Sequence, residues 1–506
     1  MNDRVEAESG SKPEAEANAG APRSQDFRRA RAAIRSLARE HGPEQLELEG
    51  SLPEGLRGTL FRNGPAALSS YGDRYGHWFD GDGAVSATRI ADGRVTGAVR
   101  YVETPDRAEE RVAKRRLFAN FGTPPPSLRS HLRGLREGRV KHAANTSVLP
   151  WRERLFALHE GSPPYELDPH SLETLGVRDL GGIVGRAFSA HPHRVAARST
   201  TYGYGLSFDR EGPRIDVFAL PDDPRQGPAR TLTRVALRRP TMIHDFVASE
   251  RHLLFLIAPV VLRPLALALT GRAYVDALAW RPELGTEIIA VPIDEPARIR
   301  RFSVDPCFAF HFANAFEDGE KGEDRLIVDF VRYPDFPSIN EWILQLTRPA
   351  PIRAAIDGEL VRGRLDLRRE SLELEAALHP SCEFPRVAPG VEGSRYRYAY
   401  LGCHAQTSGV RPGLQDHLTK VDLDTGRTWA WDFGAETYPS EAVFVPDPAR
   451  AGREDGGWLL SIVYDGRRDR SCLVVVDAEA PGRPPLARAW YDQGLPATFH
   501  GNFAPS

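Results

Sequence analysis

Short apolar runs, each closed by a turn signal, recur along most of this chain. From about residue 50 onward they read RLFALHEG, RIDVFALPDD, RHLLFLIAP, TEIIAVPID, DRLIVDFVRYPD, YRYAYLGC, GGWLLSIVYDG and SCLVVVDAEAPG. LTKVDLDTGRTWAWDFG reads as a strand, a DTG turn and a second strand. Regular short strands with polar turns imply a sandwich, a barrel or a propeller. No exact repeat is visible, so a propeller would be a diverged one. Helical stretches are few: one around SINEWILQLTR, with more between residues 110 and 140. The 506 residues could make three ordinary domains or one large β architecture.

Two segments depart from the β pattern. Residues 1–24 are rich in Ala, Glu, Gly, Ser and Pro and lack aromatics, which predicts a disordered tail ahead of one folded body over 25–506. A short helix should follow, because Phe27, Ala30, Ile34 and Leu37 share one helical face. Arg28, Arg29, Arg31, Arg35 and Arg39 decorate the rest, either as a solvated basic face packed on the body or as a membrane-surface helix. The second segment, LLFLIAPVVLRPLALALTG, is about as long as a membrane span, yet Pro259, Arg263 and Pro264 interrupt it. It reads either as a buried strand followed by a core helix, or as an apolar loop that touches a bilayer or rims a lipophilic tunnel.

Composition narrows the function classes. A net charge of -3 with interspersed signs makes no electrostatic case for nucleic acid. Cys307, Cys382, Cys403 and Cys472 show no paired spacing and read as thiols in a reducing compartment. The N-terminus has no apolar h-region, so cytoplasm is the expected location.

Four histidines stand in separate motifs: His191 in FSAHPH, His244 in MIHDF, His311 in FHFANAF and His500 in TFHGNF, spaced 53, 67 and 189 residues apart. Zinc fingers and ribbons pack their ligands into tight local pairs, so only a fold that brings distant strands to one axis could unite these four. An all-imidazole set suits Fe(II), Cu or Zn and argues against Ca or Mg. His500 lies six residues from the chain end, where chains usually fray, and a bound metal would tie it down. His142, His159, His252, His379 and His404 are read as structural.

Together these motifs resemble the carotenoid cleavage oxygenases, non-haem iron enzymes on a seven-bladed β-propeller. The resemblance runs from about Gly58 to the C-terminus. It covers GTLFRNGP, HWFDGDGAV, LFALHEGSPPYELDPHSLETLG, AHPH, HDF, HFANAFEDG, CEFPRV, PSEAVFVPDP and FHGNF, in that order. It implies an all-β propeller with a few helices and loops forming a cap over an iron site. It implies Fe(2+) held by His191, His244, His311 and His500, with His193 beside His191 as a nearby shell residue. It further implies that Glu160, Glu383 and Glu441 orient three of those imidazoles, where a carboxylate on the distal N–H sets the tautomer and raises basicity.

The implied reaction is cleavage of a conjugated C=C bond by O2 into two carbonyl fragments. Its substrate would be a water-insoluble polyene, a carotenoid or apocarotenoid. An apolar tunnel mouth is therefore expected, and Val260, Val261, Leu262, Leu265 and Leu267 offer one, with peripheral membrane contact. Some family members cleave phenolic stilbenes with a Tyr and with a Lys just before the imidazole-orienting Glu that corresponds to Glu160. Here that slot is His159, and Tyr101 could serve as the tyrosine. A zinc hydrolase on a propeller is a second alternative, and its site would mix in carboxylate ligands. Oligomeric state is not readable from the chain.

Overall fold

Period-two alternation lets each sheet of this protein pack on both faces. Along the strand Gly212–Pro221, Ile215, Val217 and Ala219 pack with Leu253, Phe255 and Val291 of the following sheet. Phe218 and Leu220, on the opposite face, pack with Leu149, Phe156 and Leu158 of the preceding one. The pattern continues one sheet on, where Leu254 turns away from Leu253 to meet Leu326 and Val328. Each such fully buried Leu or Phe contributes about 1.5–3 kcal/mol.

The computed structural model describes residues 31–319, 324–348, 358–378, 381–404 and 414–506. Within these residues seven sheets of four to six strands form a seven-bladed β-propeller. In chain order the blades are built on residues 41–101, 147–177, 193–236, 247–304, 308–378, 382–432 and 437–490. Both chain ends lock the ring. His500–Pro505 pairs with Gly58–Pro65 in the first blade, and Glu47–Gly50 pairs with Ala487–Trp490 in the last.

The predicted DTG hairpin forms between His417–Asp422 and Thr428–Asp432. All four cysteines are buried free thiols. Four helices matter for the site: α1 (Pro105–Ala113), α2 (Leu128–Glu137), α3 (Pro264–Thr270) and α4 (Phe336–Thr347). α4 is the helix expected at SINEWILQLTR. Asp335 caps it by accepting from the Ser338 N–H at 2.8 Å, and Phe336, Ile339, Trp342, Ile343 and Leu346 bury one face.

The segment 253–271 divides between the two sequence readings, with a buried strand first and cavity-lining residues at Leu262, Pro264, Leu267 and Ala268 after it. It forms His252–Ile257, a buried strand, then Val260–Leu262, a ribbon strand paired with Leu278–Trp280, and then α3. α3 is no core helix, because Leu265 and Leu269 project from it at 77% and 82% exposure. The expected tail over residues 1–24 lies outside the described residues, as do Phe27 and Ala30. Arg28 and Arg29 lie outside them too; the helix ends at residue 33, short of the expected face, and Ile34 and Leu37 are buried beyond it in irregular chain. Arg35 donates to the Tyr464 hydroxyl and pairs with Asp469, and Arg39 pairs with Glu44 and Asp492. Those pairings favour a basic face packed on the body.

Candidate metal centre

The histidines converge because each sits on, or just ahead of, an edge strand of its blade. His191 precedes His193–Val195, His244 precedes Val247–Ala248, His311 lies within Phe308–Glu317, and His500 opens the C-terminal strand. One imidazole nitrogen from each lies within 4.8 Å of the other three. The Nε2 atoms of His191 and His244 are 3.0 Å apart, and those of His244 and His311 are 3.3 Å apart. Nitrogens about 2.1 Å from a common centre at right angles would be about 3.0 Å apart, so the cluster fits one ion.

The three remaining blades supply carboxylates. Glu160 from the second blade meets His244 Nδ1 at 2.5 Å, Glu383 from the sixth meets His311 Nδ1 at 2.6 Å, and Glu441 from the seventh meets His500 Nδ1 at 3.0 Å. Each Nδ1–H donates to its carboxylate, which leaves the Nε2 lone pair aimed at the centre. Among the described residues no such carboxylate meets His191. Among the described residues no Asp or Glu oxygen joins the four-imidazole grouping, so the donor set they offer is nitrogen only.

Charge is balanced locally. Burial opposes ionisation of Glu160, but the His244 imidazole outweighs it and holds the carboxyl at about 2. Burial likewise opposes Glu441, yet Arg386, His500 and Arg62 keep it well below the usual carboxylate range. Burial lowers His191 far below the ordinary imidazole value, and the His500, His244 and His311 imidazoles add to it. Burial takes His500 to about 4 against the pull of Glu441. His311 is the exception: burial lowers it, but Glu383 more than compensates and it ends raised.

Several supporting residues were not foreseen. Arg62, fully buried, donates to Glu441 Oε2 at 2.8 Å and to the Phe499 carbonyl at 2.9 Å. Its signal was a cation inside the apolar strand LFRNGP. The Tyr333 hydroxyl donates to Glu383 Oε1 at 2.7 Å. Asp245, next to His244, accepts from His193 Nε2 at 2.8 Å and from the Phe312 N–H at 3.0 Å, so it ties three blades together beside the cluster. His193 is thus engaged by Asp245 and stands outside the four-imidazole grouping. Phe384 adopts a left-handed backbone (φ 56°) at an irregularity in strand pairing, which brings its ring within 5.4 Å of both His311 and His500. One other grouping, His41 with Glu44 and Asp492, is mostly exposed, and Arg39 already pairs with both carboxylates.

A cavity of about 840 Å³ opens onto the cluster, lined by His244, His311 and His500. Phe79, Phe121, Phe310, Trp342 and Phe499 give it an aromatic wall. Of the five residues expected to form the mouth, Leu262 and Leu267 line the cavity and Leu265 faces outward. Val260 and Val261 do not line it, because the ribbon with Leu278–Trp280 engages that strand and buries Val260 completely. The exposed apolar surface continues instead onto α2, where Leu128 and Leu132 are 72% and 57% exposed. His131 Nε2 and the Ala268 carbonyl, 2.8 Å apart, join α2 to α3. No described helix is long and apolar enough to cross a membrane.

His159 lines the cavity, but Tyr101 does not: its hydroxyl donates to the Ala66 carbonyl at 2.6 Å, away from the site. His142, read as structural, meets the Tyr165 hydroxyl at 2.9 Å and also lines the cavity. His252 is held near Glu317 at 3.3 Å, and His379 lies outside the described residues.

The chain is similar to known proteins along most of its length. A family model described as "RPE65: Retinal pigment epithelial membrane protein" matches residues 34–505. The apocarotenoid-15,15'-oxygenase of Synechocystis is 34% identical over 482 residues, covering 90% of this chain and 92% of that protein. The carotenoid 9,10(9',10')-cleavage dioxygenase 1 of Arabidopsis thaliana is 26% identical over 490 residues, covering 91% and 86%. The crystal structure of the cobalt-substituted Synechocystis enzyme superposes with a TM-score of 0.84 at 31% identity, covering 95% of this chain and 99% of that one.

Proposed function

The chain belongs to the RPE65/carotenoid cleavage oxygenase family, and from that premise we infer that it cleaves a conjugated C=C bond of a carotenoid or apocarotenoid with O2, giving two carbonyl products. The observation that carries this reading is an all-imidazole cluster opening into an aromatic-walled cavity. We assign Fe(II) to His191, His244, His311 and His500. Those four imidazoles would hold the ion, and Fe(II) there would supply O2 activation.

The remaining roles belong to the protein. Glu160, Glu383 and Glu441 aim three imidazoles and supply negative charge that neutral imidazoles lack. Arg62 and Tyr333 hold two of those carboxylates in turn. The aromatic wall excludes water and holds a rod-like polyene with one double bond beside the cluster. How far the polyene slides past the cluster would choose the bond.

Membrane contact is part of this proposal, with corrected residues. Leu128, Leu132, Leu265 and Leu269 form an exposed apolar face on α2 and α3, next to Leu135 and Leu267 at the cavity wall. That placement suits a peripheral protein drawing an insoluble substrate from lipid. The zinc hydrolase reading loses support because the three carboxylates that meet the cluster's imidazoles, Glu160, Glu383 and Glu441, sit on Nδ1 atoms and do not join the four-imidazole grouping. The stilbene reading loses its tyrosine, since Tyr101 is spent on Ala66.

The test offers iron-loaded protein β-carotene, apocarotenals of several lengths and a hydroxystilbene, in air and under nitrogen, with products identified by mass. Cleavage of a polyene in air alone is expected. Cleavage of the stilbene alone would move the function to phenolic substrates, and oxygen-independent turnover would overturn the oxygenase assignment.

A further inference from the structure

Three of the four imidazoles are gripped at Nδ1 by a carboxylate. Among the described residues His191 has no such grip, yet its Nε2 lies 3.0 Å from that of His244. A ligand ring works only if something fixes its orientation. For His191 the structure supplies that hold on the chain to either side of the ring.

Upstream, Ser189 donates its N–H to the Tyr204 carbonyl, and its hydroxyl accepts from the Tyr204 N–H at 3.3 Å. The Tyr204 hydroxyl donates to the carbonyl of Ile243, the residue before His244, at 2.8 Å. Downstream, His193 Nε2 donates at 2.8 Å to Asp245 Oδ1, and Asp245 is the residue after His244. The chain around His191 is thus bolted to the chain around His244 on both sides. Asp245 is itself firmly set. Its side chain is 2% exposed and accepts from the N–H groups of Phe246 at 2.7 Å and of Phe312, which follows His311, at 3.0 Å. Pro192 makes the link from His193 to His191 stiff: its ring fixes its own φ at about −65° and restricts the residue before it. In extended chain, residues two apart turn to the same side. A shift of His193 is therefore passed on to His191.

We propose that His193 and Asp245 are positioning residues for the metal centre: their hydrogen bond sets His191 and stands in for the carboxylate that each of the other three imidazoles has. This rests on the assignment of a metal to the four imidazoles and adds to it what places the fourth. The competing account is that Pro192 and the Tyr204 bonds fix the segment by themselves, which would make the His193 ring dispensable.

The experiment measures the cobalt(II) affinity of the full-length protein under nitrogen, by competition with a chelator, and records the visible d–d absorption of the bound ion. Denaturant unfolding of the same metal-free samples reports packing separately. His193→Phe keeps a ring but removes the donor. It should weaken cobalt binding about 10-fold and alter the d–d bands. His193→Gln, whose amide N–H still donates to Asp245, should recover most of that loss. In a His191→Ala background His193→Phe should cost nothing further, because it acts through His191. A loss of the same size in that background would overturn the proposal and point to general packing. So would a His193→Phe protein with wild-type affinity and spectrum, or a His193→Gln protein as weak as His193→Phe. Should His193→Phe not fold, His193→Ser, polar but too short to reach Asp245, carries the same comparison. A wild-type protein that binds no cobalt would overturn the metal assignment and this proposal together.

Discussion

The axis of the propeller and the mouth of its cavity are built in opposite ways. At the axis, Arg62, Glu383, Glu441 and His500 are each no more than 5% exposed, and each is hydrogen-bonded to another member of the group or to Tyr333 and His311. Seven blades contribute seven side chains, four imidazoles and three carboxylates, so no local movement can shift one without disturbing others. At the mouth, α2 buries none of its residues fully, and α3 holds Leu265 and Leu269 in solvent. Burial with complete pairing makes a rigid ion site; an unpaired apolar face makes a surface that needs a nonpolar neighbour. One chain can host both because the seven blades hold the axis, whereas α2 and α3 bury none of their residues fully.

The sharpest way to break this contrast is at the axis. His191 is the imidazole that no carboxylate faces, so His191→Ala leaves no buried charge orphaned, whereas His311→Ala would strand Glu383 at a cost of about 3–5 kcal/mol. His191→Ala should therefore weaken metal binding by more than about 100-fold and abolish oxygenase turnover while the protein stays folded. Iron stoichiometry and circular dichroism on the same sample check it. A variant that keeps full iron would remove His191 from the site.

A smaller effect comes from acid. His500 is held neutral, its folded value of about 4 lying below the usual 6.5. The unfolded chain therefore binds more protons between these values. Stability is fully present above pH 6.5 and falls as pH drops toward 4, by about 3 kcal/mol from this group. His191 acts in the same direction; His311, raised by Glu383, opposes both, but its contribution is already complete below pH 6.5; and the lowered carboxyl of Glu160 withdraws its contribution only below about pH 4.5. Denaturant titrations of metal-free protein at pH 7, 5.5 and 4.5 should show the decline beginning near 6.5. A flat profile to pH 4.5 would mean that the imidazoles titrate normally and the axis is open to water.

The smallest change in stability belongs to the mouth. Leu265→Asp with Leu269→Asp alters two exposed side chains and should move unfolding stability by no more than about 0.5 kcal/mol. The same pair should release the protein from liposomes in a flotation assay. Unchanged partition would discard the membrane face and leave the axis untouched.

Much of this molecule was legible in the chain. Alternating apolar runs with turn signals announced sheets, because strand periodicity is written locally in the residues. The four histidines and three glutamates were legible because each sits in a motif of its own. What the residues alone could not decide was who meets whom. Arg62 drew no reading as a residue of its own, and only the closed ring sets it against Glu441, 379 residues away. Asp245 and Tyr333 carried no signal, since their partners come from neighbouring blades. The apolar stretch 253–271 was visible as apolar, but its division into a buried ribbon at Val260, a cavity wall at Leu262 and an exposed helix at Leu265 was not. Nor did anything mark Leu128 and Leu132 as partners of that helix. Hydrophobicity is a property of a residue and can be read in order along the chain. Which side of a wall that residue faces depends on packing between segments far apart in sequence, and only the tertiary structure decides it.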